Sequence, residues 1–201
     1  MSVITLRSKN CPAATGAVGG FTQVELGITL VVAGFLLTLA MPSAAVWLQN
    51  TQIRTAADSM VAGLQVARVE ALRRNRSVEF ILTDDAPDAS SGLVPSTTGK
   101  NWAIRVFRQP GPNLPGDFVQ GKSGAESSAK VAVDSDVAKV VFNGLGGTDL
   151  AGLTMIRLVP SNGTCQSSGS EFRCLSISIA PGGSIRTCDP QVSDLTDPRI
   201  C

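Results

Sequence analysis

An uncharged stretch near the start of the chain limits its fold more than any other feature. Leu26 to Ile53 is a run of 28 residues without a charged side chain. As an α-helix it would be roughly 42 Å long. The hydrocarbon core of a bilayer is about 30 Å thick and needs about 20 apolar residues. The stretch therefore predicts a helix that can cross a membrane.

Glu25 stands directly before this stretch. An ionised carboxylate costs about 2.5 kcal/mol or more at the centre of a bilayer, but much less at the level of the lipid headgroups. Glu25 taken alone therefore fits two interpretations, a carboxylate at the headgroup level or a buried carboxylate with a specific partner.

The residues around Glu25 carry a resemblance to a known family. Residues 20–25, GFTQVE, resemble the processing site of type IV pilins and type II secretion pseudopilins, written G|F-T-x-x-E. Pro42 lies at the distance from that site at which many pilins carry a helix-loosening proline. The resemblance implies that a prepilin peptidase cleaves after Gly20 and methylates the new amine of Phe21, and that Pro42 kinks the helix.

The same resemblance gives Glu25 a role in assembly. After cleavage Phe21 carries a positive amine, and Glu25 lies one helical turn further along. In a filament, Glu25 of one subunit could neutralise the Phe21 amine of its neighbour, since a buried charge is tolerated only when it is paired. Glu25 is therefore expected to set the register of assembly, not to act as a catalytic acid.

The alternative for the N-terminal region is an ordinary secretory signal. Such a signal is cut after its apolar core at a small-x-small site, and residues 40–45, AMPSAA, could supply one. Against it, the apolar core is longer than usual and Glu25 lies at its start. Arg7 and Lys9 precede the core in both cases, which predicts a cytoplasmic N-terminus and an exported C-terminal body.

The cysteines indicate an oxidising compartment. Cys11 belongs to the predicted leader, and the mature chain keeps Cys165, Cys174, Cys188 and Cys201. An even count without a C-x-x-C pair or any histidine favours two disulfides over a metal site or a reactive thiol. Four cysteines allow three pairings. Cys165–Cys174 with Cys188–Cys201 is favoured because each bond closes a short loop.

Beyond the uncharged stretch, the helix is predicted to continue with one apolar face turned to a domain core. The apolar positions follow a 4-3-4-3-4 spacing typical of an amphipathic helix; they are Ile53, Ala57, Met60, Leu64, Ala67 and Ala71. Arg73, Arg74 and Arg76 cluster where cations suit a helix C-terminus, and Asn75 is the predicted stop. A phosphate contact is the alternative role of these arginines.

Residues 64–80, LQVARVEALRRNRSVEF, carry a second resemblance. They are similar to the helix-to-first-strand segment of the GspH/FimT class of minor pilins and pseudopilins, roughly L-x-x-A-R-x-E-A-x-x-R-N-x-x-V. The two resemblances together cover about the first 80 residues.

The rest of the chain is predicted to form short β-strands separated by turns. The predicted strands are Val78–Leu82, Trp102–Phe107, Lys139–Phe142, Leu153–Val159, Leu175–Ile179 and Ile185–Thr187. Three pieces between them are predicted to be turn-rich: Asp84–Lys100, Gln109–Gly124 and Asn143–Thr148. Gly182 and Gly183 suit a hairpin turn between the last two strands.

The hairpin between the last two predicted strands is also a candidate site for DNA binding. The resemblance implies that DNA-binding members of the family, which serve natural transformation, carry a C-terminal G-R-x-R whose arginines grip phosphate. This chain has Gly183-Ser184-Ile185-Arg186, so only Arg186 remains as a DNA contact. The loss of one arginine removes a charge-assisted contact. The formal charge of +1 becomes −1 when residues 1–20, with Arg7 and Lys9 and no acid, are removed, which also disfavours nucleic acid.

The composition also disfavours an enzyme. The chain has no histidine, which is the commonest general base and metal ligand. It has no G-x-S-x-G motif and no evident pair of catalytic carboxylates. No cofactor, metal or catalytic residue is therefore expected.

These patterns together predict an α+β, pilin-like subunit with four segments. Residues 1–20 are the leader, 21–50 the transmembrane or filament-core helix, 51–76 the soluble half of that helix, and 77–201 a periplasmic domain of antiparallel β-sheet with disulfides. The resemblance implies a minor pilin that primes, assembles or caps a type IV pilus. Its partners would be the prepilin peptidase, the inner membrane and other major and minor pilins. An H-type pseudopilin of type II secretion is the alternative.

Overall fold

The computed structural model describes residues 20, 22–88, 92–107, 117–126, 129–161, 163–166 and 171–201. For residues 39–43 and 126 it describes the backbone alone. The predicted leader, except Gly20, and the predicted methylation site at Phe21 therefore lie outside the described residues. The chain divides into two units between Met41 and Pro42.

A single helix, α1, covers Gln23–Arg74. It includes Pro42, whose side chain is not among those described, so the predicted kink stays a prediction. Among the described residues, no helix combines the length and the apolarity that crossing a bilayer requires.

The predicted buried face of α1 is confirmed. All six positions of the 4-3-4-3-4 series are at most 3% exposed, and Ala56 beside them is also buried. Arg54 and Asp58, which lie between those positions, are exposed. The helix therefore folds here because one stripe of small and aliphatic side chains leaves water, and not because of its intrinsic helix propensity alone.

The strands form two four-stranded antiparallel sheets. In chain order they are β1 Val78–Thr83, β2 Asn101–Val106, β3 Phe118–Lys122, β4 Val131–Ser135, β5 Lys139–Phe142, β6 Thr154–Pro160, β7 Leu175–Ile179 and β8 Ile185–Cys188. Sheet A has the order β3-β2-β1-β5, and sheet B has the order β4-β6-β7-β8. The prediction of a long helix on antiparallel sheet is therefore confirmed.

Two strands were not predicted from the sequence. β3 lies in the stretch 109–124 that was predicted to be turn-rich, and this prediction is wrong for Phe118–Lys122. β3 is an edge strand in which no side chain is fully buried. Its sequence therefore lacks the alternation of apolar and polar residues by which a strand is recognised. β4 does alternate, with Val131, Val133 and Ser135 buried, but only two of these are apolar.

The helix and both sheets share one core. Buried side chains of α1 form a continuous cluster with those of β1, β2, β4, β5, β6 and β7. Trp102 stacks on Phe80 with ring centroids 5.6 Å apart, and its indole Nε1 donates a hydrogen bond of 3.3 Å to Ser59 Oγ. Gly63 lies beneath this pair, and a Cβ at that position would lie 3.0 Å from both rings. The glycine therefore lets the helix approach the two aromatic rings closely.

Candidate assembly site

The start of α1 has a capped geometry that involves two residues of the predicted processing motif. Thr22 Oγ1 accepts a hydrogen bond of 3.2 Å from the backbone N–H of Glu25, and Thr22 O accepts one of 3.1 Å from Leu26 N. Thr22 is thus the N-cap and Glu25 the third helical residue, the positions of a capping box. Glu25 also suits the positive end of the helix dipole. The S/T-x-x-E pattern could have revealed this cap from the sequence.

The first part of α1 exposes a series of large apolar side chains. They are between 52% and 73% exposed in the isolated chain, and they are Val24, Leu26, Ile28, Leu30, Val31, Val32, Phe35, Leu36 and Leu37. Contiguous apolar surface of this kind marks a protein or membrane interaction site.

The end of α1 lies within residues 64–80, the segment that carries the second resemblance. Asn75 has a φ of 50°, Arg76 N donates to Ala71 O at 3.2 Å, and Asn75 N donates to Leu72 O at 3.3 Å. This pair of bonds around a left-handed residue is a Schellman motif, so Asn75 ends the helix as predicted. Asparagine suits the position because it tolerates the left-handed conformation better than most side chains.

The arginines at this helix end are partly neutralised within the helix. Glu70 pairs with Arg73 at 2.8 Å and with Arg74 at 2.7 Å. Hydrogen bonds from both guanidinium groups lower the pKa of the Glu70 carboxyl below its usual value. This arrangement supports a capped helix end over a phosphate contact for Arg73 and Arg74.

Arg68 joins α1 to turns that belong to different sheets. Its Nε donates a hydrogen bond of 3.1 Å to the carbonyl of Gly146, in the 143–148 turn that follows β5. Gly183, in the turn between β7 and β8, lies so close that a Cβ on it would overlap the same carbonyl oxygen. Thr148 N also donates to Pro181 O at 2.8 Å. We call this meeting of the helix and two turns the turn junction.

Both glycines of the turn junction have left-handed backbones, with φ of 81° at Gly146 and 78° at Gly183. Gly183 N donates to Ala180 O at 2.8 Å, and Ala180 N donates to Ser184 O at 3.0 Å. These bonds define a three-residue hairpin loop, a turn followed by a left-handed residue in a G1 bulge. The predicted Gly182–Gly183 hairpin turn is therefore present. Gly183 is the glycine of the pair that adopts the left-handed conformation.

Arg186, the candidate DNA contact, lies exposed on β8. Its Nη2 donates a hydrogen bond of 3.0 Å to the carbonyl of Pro198 in the C-terminal tail. The guanidinium thus has a partner within the protein, and the acidic residues Asp194 and Asp197 belong to the same tail. No observation in the described residues adds support to a DNA-binding role.

The structure has the two disulfides that were favoured from the sequence, Cys165–Cys174 and Cys188–Cys201, with Cα atoms 5.5 Å and 5.0 Å apart. Asn50 on α1 accepts a hydrogen bond of 2.9 Å from Arg173 N, next to the first disulfide. The Arg173 guanidinium in turn pairs with the buried Asp189 carboxylate at 3.1 Å, next to the second disulfide. Both disulfide loops are therefore tied together and to the helix.

A groove of about 640 Å³ lies between α1 and this disulfide-bonded end of sheet B. One wall is a single face of the helix and the other comes from β7, β8 and the tail. Its lining includes Trp47, Arg54, Asp58, Leu175, Thr187 and Arg199. The mixture of an exposed tryptophan and opposite charges suits a protein contact better than a catalytic centre.

The tail contains an acid with a strongly lowered pKa, which leads to a prediction. Hydrogen bonds from the Arg199 guanidinium, at 2.6 and 3.0 Å, and from its backbone N–H lower the pKa of Asp197 from 3.8 to about 2. Because the pKa of Asp197 is lower in the folded state, its ion pair with Arg199 stabilises the tail fully above pH 3.8. This stabilisation is lost as the pH falls through about 2.

We expect the Asp197 carboxyl resonance to titrate with a midpoint near 2, and the Arg199→Ala variant to shift that midpoint upward. Asp194, whose lowered pKa is caused by Thr196, is expected to titrate alike in both proteins. An unchanged Asp197 midpoint in the variant would show that the guanidinium is not the main cause.

The fold indicates the class of protein to which the chain belongs. The second half of a long N-terminal helix packs on antiparallel sheets, and a disulfide closes the C-terminal end, which is the architecture of a pilin-like filament subunit. The chain belongs to the GspH family, since the family described as type II transport protein GspH matches residues 56–183. The match begins in the part of α1 that packs on the sheets and ends at Gly183, in the turn between β7 and β8.

The fold of the chain also resembles that of solved structures. Two crystal structures of the type IV minor pilin FimU from Pseudomonas aeruginosa strain PAO1 are similar to this chain. The first is 19% identical over 72% of this chain and 96% of that chain, with a TM-score of 0.52. The second is 18% identical over 70% and 99%, with a TM-score of 0.48. No curated protein sequence matches the chain.

The resemblance of residues 64–80 to the GspH/FimT class is thereby confirmed. The chain is a minor pilin or pseudopilin of the family that serves type IV pili or type II secretion. Proteins of this family are structural subunits of envelope-associated filaments, in which they contact other pilins or pseudopilins.

Proposed function

We propose that the chain is a minor pilin that takes part in priming, assembling or capping a type IV pilus. The observation that carries this proposal is the exposed apolar surface of α1 between Val24 and Leu37. In the filament these side chains would bundle with the same helices of neighbouring subunits, gaining packing as they leave lipid. The packed half of α1 and the two sheets then form the head that faces outward.

The proposed pathway begins in the inner membrane. Residues 1–20 are the leader and stay in the cytoplasm, the uncharged stretch spans the bilayer, and the head lies in the periplasm. The prepilin peptidase cleaves between Gly20 and Phe21 and methylates the new amine. Support comes from the spacing of Gly20, Phe21 and Glu25 and from the two disulfides, which fit an oxidising compartment.

The second candidate function is that of an H-type pseudopilin in type II secretion. The description of the matching family favours it, and both systems use the same leader, helix and head. The two functions differ in what is lost when the gene is deleted. We expect loss of surface pili with protein secretion intact; loss of secretion with pili intact would support the pseudopilin instead.

Processing supplies a test that does not depend on the system. We expect N-terminal sequencing of the mature protein to begin at Phe21 with a methylated amine. Gly20→Val should leave the protein uncut, because a branched side chain replaces the small residue before the cleaved bond. A mature protein that begins near Ala45 would support the secretory-signal alternative and overturn the proposed pathway.

The register role of Glu25 needs a control, because Glu25 also sits in the helix cap. Glu25→Leu removes the charge, and we expect it to be cleaved and membrane-inserted but incorporated into filaments at least tenfold less. Thr22→Ala removes the hydrogen bond to Glu25 N while keeping the carboxylate, and we expect near-normal incorporation. Equal defects in the two variants would show that the cap, and not the charge, is what assembly needs.

A further inference from the structure

The head is joined to the uncharged stretch without a spacer. Gln49 and Asn50 are the first amide side chains that follow the apolar residues 44–48, AAVWL. Gln49 Nε2 donates a hydrogen bond of 2.8 Å to Lys130 O, just before β4. Asn50 Oδ1 accepts one of 2.9 Å from Arg173 N, before β7. We call this end of the head the base, and it comprises Trp47, Gln49, Asn50, Arg54, residues 129–130 and residues 171–173.

The length of the uncharged stretch places the base at a bilayer surface. This step rests on the proposed function, in which the stretch spans the membrane. A hydrocarbon core takes up about 20 residues of helix, so a core that begins beside Glu25 ends near Ala45. Ala45 and the base belong to the same unit, which begins at Pro42. At about 1.5 Å per residue, Gln49 lies roughly 6 Å beyond Ala45, within a headgroup layer about 5–8 Å deep.

Trp47 has the exposure of a tryptophan at a membrane surface. Its side chain is 70% exposed, and that of the adjoining Leu48 is 50% exposed. Trp102, by contrast, is buried in the core. Tryptophan is enriched at membrane–water interfaces, because its ring combines an apolar body with a polar N–H. The exposed indole therefore lies at the level at which the bilayer core is expected to end.

The base also carries cations that the protein does not neutralise. Arg54 and Lys130 are exposed, and neither forms an ion pair with any residue in the described part of the chain. Arg173 is paired with the buried Asp189, and Glu171 is an exposed acid of the same loop. The two unpaired cations and this one acid leave the base with an excess of positive charge.

The two unpaired cations lie on the bilayer side of the head. Lys130 is at the level of Gln49, since its carbonyl accepts the Gln49 hydrogen bond. Arg54 lies two turns beyond Trp47, and helical side chains tilt towards the N-terminus, which is the bilayer side. Asp58, an acid that lines the same groove, lies one more turn away. Long cationic side chains at such positions extend to the headgroups while their stems stay on apolar surface.

We propose that the base is a docking surface for phospholipid headgroups, with Trp47 at the edge of the hydrocarbon core and Arg54 and Lys130 on lipid phosphates. Both cations suit charge-assisted hydrogen bonds to phosphate. The head then rests on the membrane before assembly, because Gln49 and Asn50 tie it directly to the end of the uncharged stretch. In the filament, the groove beside Trp47 is free for a protein contact once the base has left the lipid.

The test uses the full mature chain in vesicles of phosphatidylethanolamine and phosphatidylglycerol. The photoreactive residue p-benzoylphenylalanine replaces Ala129, an exposed neighbour of Lys130. As a matched control it replaces Leu145, which is 90% exposed in the turn beside Arg68. Arg68 lies roughly 28 Å further along α1 than Gln49. We expect phospholipid adducts from the probe at Ala129 and none from the probe at Leu145.

Charge reversal then tests the cations. In the chain with the probe at Ala129, Arg54→Glu with Lys130→Glu should lower the yield of adduct at least about fivefold, since each cation near anionic headgroups adds to binding. Arg76→Glu with Lys100→Glu reverses the same charges at exposed positions outside the base, and we expect it to leave the yield unchanged. The comparison of the two probe positions does not depend on how either double variant folds.

Extraction with alkaline carbonate separates this proposal from the proposed function. A chain that is extracted from the vesicles would contradict the membrane-spanning helix itself, and the docking with it. A chain that stays inserted but forms no phospholipid adduct at Ala129, or forms adducts with a second copy instead, would overturn the docking alone. Equal yields of adduct from the two double variants would overturn it as well.

Discussion

Gly183→Ala should destabilise the head by about 2–4 kcal/mol, although it adds a single methyl group. Two costs combine at this position. The left-handed φ of 78° disfavours any residue with a Cβ, and that Cβ would overlap the carbonyl oxygen of Gly146. Relief requires one of the two turns to move, which breaks the contact of Arg68 with Gly146.

The neighbouring glycine is the matched control. Gly182 has no positive φ, and a Cβ built on it meets nothing within 4 Å. Gly182→Ala should therefore change stability by no more than about 0.5 kcal/mol. Thermal and urea unfolding of both variants, followed by circular dichroism, measures the difference. Equal stability of the two variants would show that the turn junction does not hold the sheets to the helix.

Leu64→Ala is expected to cost about 2–5 kcal/mol, because the removed atoms leave a cavity that a close-packed core fills only in part. Leu64 is fully buried in the middle of the helix face that meets both sheets. The variant should unfold at a clearly lower urea concentration with a similar slope of free energy against urea.

Leu72 lies on the same helix with 46% of its surface exposed, so Leu72→Ala makes the same chemical change outside the core. We expect it to cost less than about 1 kcal/mol. A cost for Leu72→Ala equal to that for Leu64→Ala would contradict the division of α1 into a packed face and a solvent face.

The sequence was most informative about the helix. The spacing from Ile53 to Ala71 predicted the buried face, and Asn75 predicted the end, because both depend on local periodicity and backbone preference. Six of the eight strands were predicted with shifts of at most one residue at their ends. β3 was missed because an edge strand with half-exposed side chains has no alternation, and β4 because its alternation is short.

The division of the strands into two sheets could not be predicted. No feature of the sequences of β5 and β6 indicates that the two strands belong to different sheets. The sheet to which a strand belongs depends on its pairing with strands that are distant in the sequence. The same holds for the turn junction, where Arg68, Gly146 and Gly183 come from three distant segments. Arg68 belongs to a recognisable sequence motif and the glycines to predicted turns, but no local pattern in the sequence indicates that these residues contact one another.

The sequence by itself determined the properties that neighbouring residues set, namely the uncharged helix with its acid at Glu25, the packed face, the helix cap and the short disulfide loops. The tertiary structure decided where the C-terminal tail lies, namely beside β8 at one edge of sheet B, where Asp189 N donates to Arg199 O and Arg186 donates to Pro198 O. The physical reason is that hydrogen bonds across a sheet edge depend on strand order. Strand order is set by the free energy of the whole core and by no single stretch of chain.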